Sequence, residues 1–192
     1  MKYIVSAIFV SLAFGLASAF NIQEPGANLK RSEDTCGSCG NPADALPFYR
    51  TFVAPQVDHC YTTNLEIVNG QFAAYRLQGV AGLVFATQEA STVPFYRLYN
   101  PTIFDSFYTT SATEKASALA NGYVINTSDP VTYIYPTQIC GSVPFYRLYS
   151  ANETDNFYTT SESEMLEFIA NEGYTYVEIA GYILPVSCPQ CG

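Results

Sequence analysis

Tryptophan is absent from this chain of 192 residues, and histidine occurs once, as His59. A Ser–His or Cys–His nucleophile would therefore depend on His59, whose neighbour Cys60 we expect to form a disulfide. Basic residues are also scarce, because eight lysines and arginines oppose seventeen aspartates and glutamates, for a net charge of −9. This charge balance disfavours nucleic acids and anionic membranes as partners, since both attract basic surfaces.

Long apolar runs are missing from the chain after its first residues. The one such run, residues 3–16, is short for a membrane span and is followed by the small-residue cleavage site Ala17-Ser18-Ala19. Residues 1–19 are therefore predicted to be a signal peptide, and the protein is expected to be secreted without a membrane span. Residues 20–31 end in the dibasic pair Lys30-Arg31, which indicates a propeptide; an ordinary exposed basic pair is the alternative.

Six cysteines are an even number, as expected for disulfides in an oxidising compartment. They form two Cys-x-x-Cys pairs near the ends and two single residues between them: Cys36, Cys39, Cys60, Cys140, Cys188 and Cys191. We predict that Cys60 pairs with Cys140 and that the two end pairs cross-link with each other. Closure within each Cys-x-x-Cys is the alternative. The same spacing is typical of zinc sites in cytosolic proteins, but export favours disulfides, so no metal is expected.

One stretch of sequence occurs three times, with copies that start at residues 46, 93 and 143. Each copy opens with leucine or valine followed by Pro-Phe-Tyr-Arg and continues, after a turn, with an aspartate and a strand that ends in Tyr-Thr-Thr. A period of about 50 residues marks one supersecondary unit that cannot bury its apolar face alone, so the copies should share one core. The predicted boundaries are a single domain at 46–185, repeats at 46–92, 93–142 and 143–185, and cysteine-containing segments at 32–45 and 186–192.

Each repeat is predicted to contain two hairpin strands, a short helix and two further β segments. Aromatic and β-branched residues favour the strands, and capping boxes at Ser111–Glu114 and Ser161–Glu164 favour helix starts. Gly82 and Gly181 mark the last β segment in two copies. We expect a β-rich fold with short helices, in which three β-β-α-β-β repeats close with pseudo-threefold symmetry like a β-trefoil, because closure removes open sheet edges. A small propeller-like ring is the alternative.

An arginine precedes an aspartate by the same interval in all three copies: Arg50 and Asp58, Arg97 and Asp105, Arg147 and Asp155. If each hairpin is symmetric about the middle of that interval, the two side chains face each other across the strands. The sequence thus predicts three equivalent structural ion pairs. A paired aspartate stays ionised, which suits a structural role better than general-acid catalysis, so no catalytic residue is assigned.

The repeat resembles a family of extracellular repeats of unknown function with the pattern Tyr-Arg-Leu-Tyr-Asn-Pro, a turn, Asp-His-Phe-Tyr-Thr-Thr, a helix and a Gly-Tyr strand. Residues 96–101 and 155–160 match that pattern almost letter for letter, and the resemblance covers about residues 46–185. Similar modules stand alone in fungal secreted proteins or are appended to secreted hydrolases, which implies a non-catalytic module for carbohydrate or cell-wall attachment. This chain departs from the pattern with Ser106 and Asn156 where the histidine is expected.

Sixteen tyrosines and thirteen phenylalanines would supply any aromatic platform on which a sugar ring could stack. The ligand-binding candidates lie near the hairpins: Tyr99, Asn100, Tyr108, Tyr149, Asn156 and Tyr158. The alternative is that the repeated tyrosines form the core. Glycosylation is predicted at the sequons of Asn126 and Asn152. The sequence predicts a monomeric, lectin-like secreted protein without a cofactor; the alternative is a secreted structural or protein-interaction protein without a glycan ligand.

Overall fold

Antiparallel strands dominate the computed structural model of this protein, which describes residues 38–69, 74–125 and 131–187. The β-rich fold with short helices is therefore confirmed. None of the helices in these ranges is long and apolar enough to cross a membrane. The predictions for the signal peptide, the propeptide and the glycosylation of Asn126 lie outside the described residues, as do Cys36, Cys188 and Cys191.

The elements follow one another along the chain in nearly the predicted order. The strands are β1 (Ala45–Val53), β2 (Asp58–Thr62), β3 (Arg76–Phe85), β4 (Val93–Asn100), β5 (Asp105–Thr109), β6 (Val124–Ile125), β7 (Thr132–Ile134), β8 (Val143–Ser150), β9 (Asp155–Thr159) and β10 (Thr175–Ile183). The helices are α1 (Leu65–Val68), α2 (Ala112–Ala120) and α3 (Glu162–Asn171). Two β segments were predicted after each helix, but β3 and β10 are single strands that cross the position of the expected break.

The strands form two open antiparallel sheets. One sheet follows the order β2-β1-β3-β7-β4-β5, with β6 also paired to β4, and the other follows β10-β8-β9. Isolated bridges join the sheets where Leu83 pairs with Leu184 and Tyr135 pairs with Tyr182. Gly82 lies beside this junction, and a Cβ atom there would come within 2.4 Å of Ile183 Cδ1. The glycine is therefore needed for the close approach of two strands.

The three hairpins β1–β2, β4–β5 and β8–β9 share one register, and it differs from the predicted one. Each turn contains four residues, so the last residue of the first strand faces the aspartate, as Val53 faces Asp58. The predicted partners are thus wrong: the arginines face tyrosines instead, in the pairs Arg50–Tyr61, Arg97–Tyr108 and Arg147–Tyr158. The prediction centred the hairpins too early. The residue before each aspartate has a positive φ angle, which completes the longer turn: Val57, Phe104 and Thr154.

The helices α2 and α3 start at the predicted serines. Ser111 Oγ accepts a hydrogen bond from the Glu114 N–H group, and Ser161 Oγ accepts one from Glu164 N–H, both at 3.2 Å. The glutamates do not close the reciprocal half of the capping box in the described hydrogen bonds. Their carboxylates accept instead from threonine hydroxyls at the ends of β5 and β9, and they continue towards arginines of other hairpins.

A disulfide joins Cys39 to Cys140, so the predicted pairing of Cys60 with Cys140 is wrong. Closure within the first Cys-x-x-Cys and cross-linking of Cys39 to the C-terminal pair are excluded by the same bond. The segment before β1 packs against the middle repeat, where Gly40 N–H donates a hydrogen bond to the Tyr135 hydroxyl. This contact lies next to Cys39, whose Cα atom is 5.7 Å from that of Cys140. Cys60 is buried in β2 instead, with its sulfur 2.9 Å from Arg97 Nη2.

Candidate functional site

A cycle of three buried tyrosines joins the second strands of the hairpins. The Tyr61 hydroxyl donates to the Tyr158 carbonyl and accepts from the Tyr158 N–H group, at 2.6 and 2.7 Å. Tyr158 makes the same two bonds to the backbone of Tyr108, and Tyr108 makes them to Tyr61. All three side chains are at most 1 % exposed, so a ligand cannot reach them in this conformation. Tyr108 and Tyr158, predicted as ligand contacts, therefore belong to the core.

A second cycle is formed by the three repeated aspartates, which are all buried. Asp58 accepts hydrogen bonds from the N–H and hydroxyl groups of Ser106, at 2.8 and 3.1 Å. Asp105 accepts from the N–H and side-chain amide of Asn156, at 3.1 and 2.7 Å. Asp155 in turn accepts from His59 N–H at 2.7 Å and lies 2.6 Å from His59 Nδ1. Each aspartate thus holds the strand of another hairpin, rather than an arginine of its own.

The aspartates lie close together, with carboxylate oxygens within 4.8 Å of one another. Burial raises the pKa of Asp58 to about 7, and the charges of Asp155 and Asp105 add to that rise. Burial likewise raises the pKa of Asp105 to about 6, against hydrogen bonds from Tyr123 and Asn156 that favour the ionised form. These carboxylates are therefore harder to ionise than the predicted salt bridges would have made them.

Two of the repeated arginines connect their own hairpin to the helix of another repeat. Arg50 binds Glu164 through two hydrogen bonds, Nη1–Oε2 at 3.0 Å and Nη2–Oε1 at 2.8 Å. Its guanidinium carbon lies 4.9 Å from the centre of the Phe157 ring. Burial opposes the charge of Arg50, but interactions with Glu164 and Tyr61 together more than offset it, so the pKa of Arg50 is raised. The arginine is thus held between an acid and an aromatic face.

Arg147 has the same surroundings at another junction. Its Nη1 atom lies 3.2 Å from Glu114 Oε1 and 3.1 Å from Glu178 Oε1, and its guanidinium carbon lies 4.4 Å from the Phe107 ring centre. Arg97 differs, because Cys60 stands where the other junctions have a phenylalanine. The glutamates were not predicted from the sequence as partners of the arginines. Their recurrence three residues after each helix-capping serine was the available signal, but it was assigned to the cap alone.

A cleft opens beside each of these two Arg–Glu pairs, and each has a volume of about 220 Å³. The first cleft is bounded by the Arg50–Glu164 pair, the start of α3 and the β3 segment 78–81. The second is bounded by the Arg147–Glu114 pair, the Phe107 ring and the outer turns of α2 with Tyr123. Guanidinium, carboxylate, hydroxyl and amide groups thus line both depressions, and the rings of Phe107 and Tyr123 also line the second. Such a lining suits a polar ligand.

The remaining ligand-binding candidates separate by exposure. Asn100 and Asn156 are buried: Asn100 caps its own turn by accepting from Thr102 N–H at 3.0 Å, and Asn156 bonds to Asp105 and Arg147. Tyr99 and Tyr149 are half-buried and therefore remain accessible. The structure does not bring the six candidates together in one site. Of the predicted set, only these two tyrosines can meet a ligand without a change of conformation. Asn152 is exposed in the β8–β9 turn, and its glycosylation stays a prediction.

Comparison with known proteins assigns a family but no activity. No curated protein and no solved structure significantly matches the chain. Residues 46–184, which span all three hairpins and their helices, match the family described as a domain of unknown function, DUF5648, and the chain belongs to that family.

Proposed function

We propose that this protein is a secreted, non-catalytic binding module for cell-wall or surface glycans. The observation that carries the proposal is the recurrence of an Arg–Glu pair over a phenylalanine ring beside a polar cleft, once at Arg50 and once at Arg147. Charged and hydroxyl groups in such clefts can bind sugar hydroxyls, and half-buried tyrosines can pack against the apolar face of a pyranose ring. Secretion follows from the predicted signal peptide at residues 1–19.

We also infer that the three repeats close around a pseudo-threefold axis in a trefoil-like arrangement. The tyrosine cycle supports this inference, since each hydroxyl bridges to the next hairpin and the third returns to the first. The aspartate cycle supports it in the same way. Such an arrangement would present equivalent junctions around its circumference, which explains why an Arg–Glu pair over a phenylalanine ring occurs at two of them.

A protein partner is the second candidate function, and one observation favours it. Apolar side chains are exposed on the strands β3, β6 and β10, among them Leu77, Val124 and Tyr176 at about half of their full exposure. Exposed apolar residues of this kind occur at protein interaction surfaces. Leu77, Val124 and Tyr176 do not line the polar clefts, so the two functions make different predictions for variants of these residues.

The test is binding of the mature protein, from Ser32, to insoluble chitin, β-glucan and peptidoglycan and to an array of soluble glycans. Retention on at least one polysaccharide is expected, with binding weakened about tenfold by Tyr99→Ala or Tyr149→Ala because a stacking surface is lost. Tyr176→Ala is the matched control, since it removes the same side chain from β10, where the tyrosine is exposed with other apolar residues, and not from a hairpin strand. Folded protein that binds none of these glycans would contradict the proposal and favour a protein partner.

A further inference from the structure

The two junctions differ in the residue that faces the arginine from the neighbouring strand, and that difference opens the first cleft. In the β8–β10 ladder Arg147 faces Glu178, which fills the space beside the guanidinium and binds it. In the β1–β3 ladder Arg50 faces Gly79 instead. A Cβ atom added to Gly79 would have no neighbour within 4 Å. The cleft beside Arg50 is therefore the space that a glutamate side chain occupies at the other junction.

The polar groups around this space are held in place and nearly neutral as a set. Both Nη atoms of Arg50 are bound to Glu164, so the positive charge of the pair is balanced. Glu164 itself is fixed by the Thr159 hydroxyl and by the cap of α3. The side chains of Arg50 and Glu164 are 18 % and 28 % exposed, so both remain accessible from the cleft. Preorganised groups of this kind bind a ligand at a low entropic cost.

These properties select a class of ligand. A carboxylated or sulfated sugar would compete with Glu164 for Arg50 and would approach a chain of net charge −9. A neutral sugar needs no such exchange, because its hydroxyls can donate to Glu164 and accept from Arg50. A volume of about 220 Å³ lies below the roughly 300 Å³ at which sites for drug-sized molecules begin, so one sugar ring fits and a longer chain must extend outside.

We infer that the cleft between Arg50, Gly79 and Glu164 is the principal binding site for a single neutral pyranose unit of a glycan, and that Glu178 closes the equivalent space beside Arg147. This inference rests on the proposed glycan-binding function and names its site and ligand class. The specificity for the sugar is thus assigned to the position of Gly79 in the first repeat, which is Glu178 in the third, and not to the repeated tyrosines.

The experiment measures binding of chitotriose, laminaritriose and trigalacturonic acid to the mature protein by NMR titration. Binding of at least one of the neutral trisaccharides is expected, with shifts of the Gly79 and Ser161 amides, and no binding of the acidic one. Gly79→Glu fills the cleft and should weaken binding at least tenfold. Leu77→Glu is the matched control, because it adds the same charge to an exposed residue of the same strand outside the cleft lining.

A second variant tests the inference if Gly79→Glu does not fold, since φ at Gly79 is +152° and a side chain there is strained. Glu178→Ala should open the matching space and add ligand-induced shifts around Arg147. Unchanged affinity in Gly79→Glu, preference for the acidic trisaccharide, or no new shifts in Glu178→Ala would overturn the inference. If Gly79→Glu leaves the affinity unchanged and the protein still binds a polysaccharide, the proposed function stands without this site. If folded wild-type protein binds no glycan of any kind, both fall.

Discussion

The buried carboxylate of Asp58 makes the stability of this fold depend on pH. Burial and the charges of Asp105 and Asp155 raise the pKa of Asp58 to about 7. The side chains of His59, Tyr75 and Tyr99 also lie near this cluster. An unfolded aspartate has a pKa of about 4, so the folded state binds the proton more tightly. The resulting stabilisation is fully present below about pH 4 and is lost as the pH rises through about 7.

We therefore expect the melting temperature to fall between pH 5 and pH 8, and Asp58→Asn to remove much of that fall. Asparagine keeps the acceptor for Ser106 N–H but cannot ionise. Thermal unfolding followed by circular dichroism at several pH values measures this fall. In a chain of this size the melting temperature should shift by about 2–4 °C for each kcal/mol of unfolding free energy that is lost. Asp44→Asn is the control, because Asp44 is exposed in the turn before β1. A wild-type protein that is more stable at pH 8 than at pH 5 would contradict this account.

At the level of secondary structure, local chemistry was predictable and the meeting of distant elements was not. The starts of α2 and α3 followed from Ser111 and Ser161, since a cap depends on neighbouring residues alone. The predicted hairpin register was wrong because each turn extends through a residue with a positive φ angle, such as Val57. A valine side chain does not favour that backbone conformation. The Arg–Glu pairs escaped prediction because Arg50 and Glu164 lie 114 residues apart.

The tyrosine cycle makes a prediction for the contact between strands. Tyr108→Phe keeps the buried ring but removes the hydroxyl that accepts a hydrogen bond from the Tyr61 N–H group and donates one to the Tyr61 carbonyl. Each buried backbone group left without a partner costs about 1–3 kcal/mol, so the free energy of unfolding should fall by several kcal/mol. Urea denaturation measures the loss. Tyr176→Phe, at an exposed tyrosine, should change it by less than about 0.5 kcal/mol; equal effects in the two variants would contradict the role of the cycle.

For the whole molecule, the Cys39–Cys140 disulfide ties the segment before the first repeat to the second repeat. It closes a loop with a sequence separation of 101 residues. The loop-entropy estimate for such a closure is about 4–5 kcal/mol. Cys39→Ser and Cys140→Ser should therefore destabilise the protein equally, and the double variant should be no less stable than either one. Denaturation of the three variants tests this, and non-reducing peptide mapping that joined Cys60 to Cys140 would contradict the bond itself.

The long reach of the tyrosine cycle has a consequence for how the chain acquires its structure. The Tyr61 hydroxyl bonds to a residue 97 positions further along the chain, and the other two links span 47 and 50 positions. Links of this length form slowly, because the entropy of closing the intervening loops is lost before any contact is gained. During synthesis the Tyr61 hydroxyl of the first hairpin has no hydrogen-bond partner in this cycle until the third hairpin, with Tyr158, has emerged from the ribosome. Folding should then occur late and in one cooperative step, and a chain truncated before Tyr158 should not fold.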